Sequence, residues 1–171
     1  MKLLIKIQLM LILMNTKVIM SFILSLAFYG AIGQNPEKQL MDTIDFVTQE
    51  IQILTNSSYD YKAYRLNYDN CNLEIKQTPK GDSTKWDLFA FWFVDIDETK
   101  MKVLEQPNGE WGLILNTISE EWKIKYVSET DSGRRNFIIM LSDDREQLIA
   151  LGQAIYFAIK KCKSMNRVSD Y

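Results

Sequence analysis

Histidine is missing from the 171 residues, cysteine occurs only twice, and there is no basic surplus: 20 lysines and arginines face 22 acids, for a formal charge of −2. The lack of histidine removes whole chemistries, including a Ser–His–Asp triad, a Cys–His nucleophile pair and the histidine-rich zinc and iron sites. The lack of a basic surplus argues against nucleic acid as a partner, since binding phosphates draws on clustered cations. What remains is ordinary for a globular protein, with 25% charged and 47% apolar residues. The length suits one domain with a real core.

Charge is also missing locally. No acid or base lies between Val18 and Pro36, and Lys2, Lys6 and Lys17 all precede that run. The apolar block 18–29 ends in Ala31-Ile32-Gly33, small residues at the positions a signal peptidase reads, before Gln34. Residues 1–33 are therefore expected to be a cleaved export signal, and translation from Met14 would give a leader of more usual length. The alternative is an uncleaved membrane anchor, because about 20 apolar residues suffice to span a bilayer. Cleavage would leave residues 34–171 as a single domain, and the loss of three lysines would take the formal charge to −5.

In the remainder, Asn35-Pro36-Glu37 reads as a helix start, and Leu40, Ile44, Val47, Ile51 and Leu54 follow at helical spacing. Asn56-Ser57-Ser58 matches a glycosylation sequon but is read as a loop. The period then changes to two. Tyr64, Leu66 and Tyr68 lead through the turn Asp69-Asn70 to Cys71, Leu73 and Ile75, an expected hairpin with one buried face. Residues 86–96 are apolar on both faces, as a covered central strand would be. Further strands are expected at 101–105, 111–115, 122–126 and 135–141, with a polar loop through Asp131-Ser132-Gly133. The last element, 142–163, is a helix: Asp143 is placed to cap it with Glu146 reaching back. Leu148, Leu151, Ile155, Ile159 and Cys162 fall on one stripe, and Lys160, Lys161 and Lys163 lie at the negative end of its dipole.

Hairpin-length connections exclude a parallel sheet, whose crossovers need a dozen or more residues. The expected fold class is α+β: an antiparallel sandwich or bent sheet of about seven strands, with an N-terminal helix and a capping C-terminal helix. This element order over residues 59–163 resembles the pleckstrin-homology-like superfold. It is also similar to small, uncharacterised exported bacterial proteins of that architecture whose last helix ends in cysteine. A likeness of fold alone implies no activity.

Three sets of residues are candidates for function. Cys71 begins a strand in its apolar phase and Cys162 lies on the buried helix stripe, so in an exported chain a Cys71–Cys162 disulfide is expected to pin the helix to the sheet, two buried thiols being the alternative. Asp95-Ile96-Asp97-Glu98-Thr99 resembles the nucleophile motif of haloacid-dehalogenase-type phosphatases, which implies Asp95 as nucleophile, Asp97 as acid/base and Mg²⁺ as counter-charge, with Asp143-Asp144 similar to that family's later metal-binding aspartates. That family needs a parallel sheet with intervening helices and a glycine turn after the second aspartate, where this chain has Glu98. A strand-to-strand acidic turn is the simpler reading. Calcium at Asp95, Asp97 and Glu98 would require more oxygens and a glycine. Finally, Trp86 and Trp92 fall on one face of their strand, where they form either core or an aromatic binding face. The expected function is that of a secreted or periplasmic, non-enzymatic module for a protein or peptide partner, without metal or cofactor. The rivals are a Mg²⁺-dependent phosphatase using Asp95 and Asp97, and a membrane-tethered interaction protein retaining its N-terminal segment.

Overall fold

The computed structural model of the chain describes residues 35–65 and 71–165. The expected export signal (1–33), the alternative start at Met14, and Leu66, Tyr68, Asp69 and Asn70 of the expected hairpin lie outside the described residues. Helix α1, Pro36–Gln52, starts with proline at its first position and Glu37 in its first turn, and it buries Leu40, Ile44, Val47 and Ile51 at helical spacing. Asn56 then ends the connection. Its buried Oδ1 accepts from the backbone N–H groups of Ser58 (2.7 Å) and Tyr59 (2.6 Å), turning the chain into the first strand.

The strands β1 (Tyr59–Tyr64), β2 (Asn72–Pro79), β3 (Asp87–Trp92), β4 (Lys102–Glu105), β5 (Trp111–Asn116), β6 (Ile124–Ser128), β7 (Ser132–Arg135) and β8 (Phe137–Ser142) all pair antiparallel. They form a five-stranded sheet in the order β1-β2-β3-β6-β7 and a three-stranded sheet in the order β4-β5-β8. The α+β class and the antiparallel pairing are as expected. The eighth strand is β7, in the segment read as a polar loop; it pairs with β6 from Ile124↔Arg135 to Val127↔Ser132. An edge strand has one neighbour to satisfy and so needs little apolar patterning.

The long strand expected at 86–96 ends at Trp92, where a 3-10 turn, Phe93–Asp95, carries the chain from the larger sheet to the smaller. Within β3 one face is covered and the other only partly, not both fully as expected. Phe91 and Phe93 are both buried, their rings edge-on at 5.6 Å, while Leu88 and Ala90 stay half-exposed. Polar contacts tie α1 to β1, to Arg65 just beyond it and to the last helix: Gln52 Nε2 donates to the Ala63 carbonyl (3.0 Å), Arg65 pairs with Asp45 (3.2 Å), and Lys161 donates to Gln39 Oε1 (2.8 Å).

Helix α2, Arg145–Ser164, buries Leu148, Leu151, Ala154, Ile155, Ala158, Ile159 and Cys162 as the stripe required. Its cap is Asp144, whose side chain accepts from the N–H groups of Glu146 (2.9 Å) and Gln147 (3.4 Å), and not Asp143 as expected. The backbone N–H of Asp143 is already committed to the Thr55 carbonyl at 2.8 Å, which shifts the helix start by one residue. Glu146 therefore falls out of the reach-back position. Gln147 occupies it, and its side chain instead accepts from the Thr55 N–H (3.0 Å) and donates to the Ile53 carbonyl (3.0 Å), joining the two helices' ends. Asp144→Ala should therefore lower unfolding free energy by about 1 kcal/mol, whereas Asp143→Ala should change it by only a few tenths. Urea midpoints of the two variants test this directly.

Candidate functional site

The carboxylates of the acidic turn Asp95–Thr99 diverge. Asp95, buried at the end of the 3-10 turn, pairs with Lys123 ahead of β6 (3.1 Å), and Lys123 also pairs with Glu121 (3.1 Å). Asp97 folds back on its own loop, accepting from the Thr99 N–H (3.0 Å) and hydroxyl (2.6 Å). Glu98 faces the end of α2, where it pairs with Lys160 (3.0 Å) and Lys163, and Lys163 also donates to the Ile96 carbonyl (3.3 Å). Asp143 is exposed and Asp144 is occupied by capping. Between Asp97 and Asp143 lie antiparallel strands and a 3-10 turn, with no α-helix. Among the described residues, no group of three or more Cys, Asp or Glu side chains could hold a metal ion.

The turn therefore serves as the seat of α2. The Lys163 ammonium beside Glu98 works against burial, which alone would raise the carboxyl; with a backbone hydrogen bond and Lys160, it holds Glu98 down to about 2 from an ordinary 4.5. A carboxyl lowered on folding contributes stability that is full above its unfolded value and disappears as pH falls through its folded one. The melting temperature should accordingly drop as pH is taken from 4.5 towards 2, the interval between those two values. Glu98→Gln should be less stable at neutral pH, by about 1–2 kcal/mol for a charge-assisted pair, and should show a shallower acid slope. Melting curves across that interval provide the check.

Where the chain passes between the two sheets, its backbones are bonded together. Thr117, fully buried, donates its N–H to the Asn136 carbonyl (2.9 Å), and its hydroxyl contacts the carbonyls of Asn136 and Glu121. Thr117 also bridges Ile96, and the Asp97 N–H reaches the Asn116 carbonyl (2.8 Å). Ile118, Trp122 and Phe137 each follow a member of the bonded trio Thr117, Glu121 and Asn136 by one residue. All three are exposed, at 39%, 64% and 45%. Between the first two, Ser119 and Glu120 hold left-handed backbone angles (φ 55° and 57°), at a cost of order 1 kcal/mol each for side chains that do not favour that region. The corner thus displays three large apolar groups on a closely bonded backbone that includes a left-handed pair.

The other candidates fall elsewhere. Trp86 and Trp92 are both half-buried; Lys76 sits over the Trp86 ring at 5.1 Å, and Trp92 packs against the core. The sulfurs of Cys71 and Cys162 are buried at disulfide distance, with Cα atoms 5.8 Å apart, and so connect the start of β2 to the last turns of α2. A polar cluster had no signal in the sequence. Glu110, buried in the β4–β5 turn, accepts from the hydroxyls of Ser57 (2.8 Å) and Ser58 (2.8 Å) and from the Asn108 amide. Burial alone would raise this carboxyl, but hydrogen bonds from Ser57, Ser58, Asn108 and Asn56 outweigh it and keep Glu110 below the usual range. This cluster fastens the loop after α1 to the smaller sheet. The corner was equally silent, because Thr117 reaches Glu121 across a 3-10 turn and Asn136 lies 19 residues away in sequence.

Compared with known proteins, the chain matches no family model, no curated protein and no solved structure. Among the described residues, no helix is long and apolar enough to cross a membrane.

Proposed function

We propose that the chain is an exported, non-enzymatic module with a pleckstrin-homology-like arrangement, and that it binds a protein partner through the corner formed by Ile118, Trp122 and Phe137. The observation that carries this reading is the exposure of all three beside Thr117, a fully buried residue bonded to the Asn136 and Glu121 carbonyls. Interfaces concentrate their energy in a few aromatic and large apolar anchors, and a preorganised backbone reduces the ordering cost of docking them. The buried cysteine pair supports export, since such pairs persist in oxidising compartments. The carboxylates of the acidic turn support a non-catalytic role, because each is engaged in holding structure.

The test is a photo-crosslinking residue placed at position 122 in the native host. One discrete adduct with another protein is expected, absent when the crosslinker is placed at exposed Glu129 on the β6–β7 turn. Equal adducts from both positions, or none from position 122, would count against the corner. Magnesium-dependent hydrolysis of phosphate esters that Asp95→Asn abolishes without unfolding the chain would overturn the non-enzymatic assignment.

A further inference from the structure

We infer that the outer face of α2 pairs with α2 of a second copy of the chain, the two helices lying antiparallel about a two-fold axis at Gln153. This surface is separate from the corner, and neither reading depends on the other.

A surface helix buries one stripe and normally presents polar and charged residues opposite it. On α2 the opposite stripe is apolar at its centre. Ile149 is half-buried there, and Ala150, Tyr156 and Phe157 are exposed around Gln153, with exposed Glu146 and Lys160 beyond them. All of these fall within about 60° of Gln153 around the helix, at roughly 100° per residue. Tyr156 and Phe157 are 39% and 56% exposed, their rings edge-on at 5.9 Å.

The stripe is complementary to itself. Glu146 precedes Gln153 and Lys160 follows it by the same seven positions, about 10 Å along the axis at ~1.5 Å per residue. A two-fold axis at Gln153 therefore sets Glu146 against Lys160 of the second copy. It also sets the level of Ile149 and Ala150 against that of Tyr156 and Phe157, so smaller side chains receive the rings. The ends match as well. Asp143, Asp144 and Glu146 outnumber Arg145 at the start of the helix, while Lys160, Lys161 and Lys163 outnumber Glu98, which pairs with the first and last of them. The dipole of a lone helix already favours acids at its start and bases at its end, but it gives no reason for two exposed rings between them. Gln153, polar in an apolar seam, is the kind of residue that fixes the register of paired helices. An anionic bilayer would attract the lysine end and repel the acidic one, so it fits this face less well than an antiparallel copy does.

The experiment is sedimentation equilibrium of the chain purified from its host. One helix pair is small for a specific interface, so association is expected at micromolar chain concentrations. The mass should rise to that of two chains and the association should weaken with added salt. Phe157→Glu should raise the dissociation constant at least tenfold without unfolding the chain, because the new carboxylate lies one turn before Lys161 and supports the helix. Gln153→Cys should give covalent dimers on mild oxidation, and Ser132→Cys, exposed on β7, should not, since the axis brings position 153 beside itself. Trp122→Ser should leave association unchanged, which separates this face from the corner. A mass of one chain at every concentration, a dimer that Phe157→Glu leaves intact, equal crosslinking from positions 153 and 132, or binding of one chain to phosphatidylglycerol vesicles that Phe157→Glu abolishes, would overturn the proposal.

Discussion

Replacing Cys71 and Cys162 together by alanine is expected to lower the unfolding free energy by about 4–5 kcal/mol. The two residues are 91 positions apart in sequence, and a cross-link closing so long a loop removes much of the freedom of the unfolded chain. For a domain of ordinary stability, about 5–15 kcal/mol in total, that loss is a large fraction of the whole. It should also have a local component. Cys162 is followed by Lys163, which holds Glu98 and the Ile96 carbonyl, so the end of α2 loses its covalent tie beside its ionic one. Urea unfolding of the oxidised, reduced and double-alanine proteins measures the effect. Equal midpoints for all three would show that the helix is seated by packing alone.

Phe93→Ala should cost about 3–5 kcal/mol, the range for removing a large buried aromatic ring. Phe93 is fully buried at the point where the chain leaves the larger sheet, and its N–H donates to the Cys71 carbonyl at 2.7 Å. Its edge-on contact with Phe91 disappears with the ring. Leu88→Ala, half-exposed on the same chain segment, should cost at most about 1 kcal/mol because little buried area is removed. The contrast between the two, read from urea midpoints, tests the assignment of inward and outward residues in the segment 86–96.

Much of this architecture was legible in the order of the residues. The stripe from Leu148 to Cys162 and the phase of Cys71 both pointed at the same interior, and short connections required antiparallel pairing. The features without a signal in the sequence have physical reasons. The Ser132–Arg135 strand lacks apolar alternation because an edge strand is held by backbone bonds on one side. The cap moved from Asp143 to Asp144 because Thr55, distant in sequence, takes the Asp143 N–H. The acidic motif at Asp95 looked like chemistry, but its carboxylates point to three different partners, one on the β5–β6 connection, one in its own loop and one on α2. The corner depends on Thr117 meeting Asn136, 19 residues away in sequence, and no local pattern announces that meeting.

The corner reading can be tested most directly on the double variant Trp122→Ser with Phe137→Ser, compared with the native chain in affinity capture from the host and in thermal melting. Both side chains are substantially exposed, so the melting temperature should fall by no more than a few degrees while the protein that co-purifies with the native chain disappears. A partner retained at native abundance by a folded double variant would contradict the account.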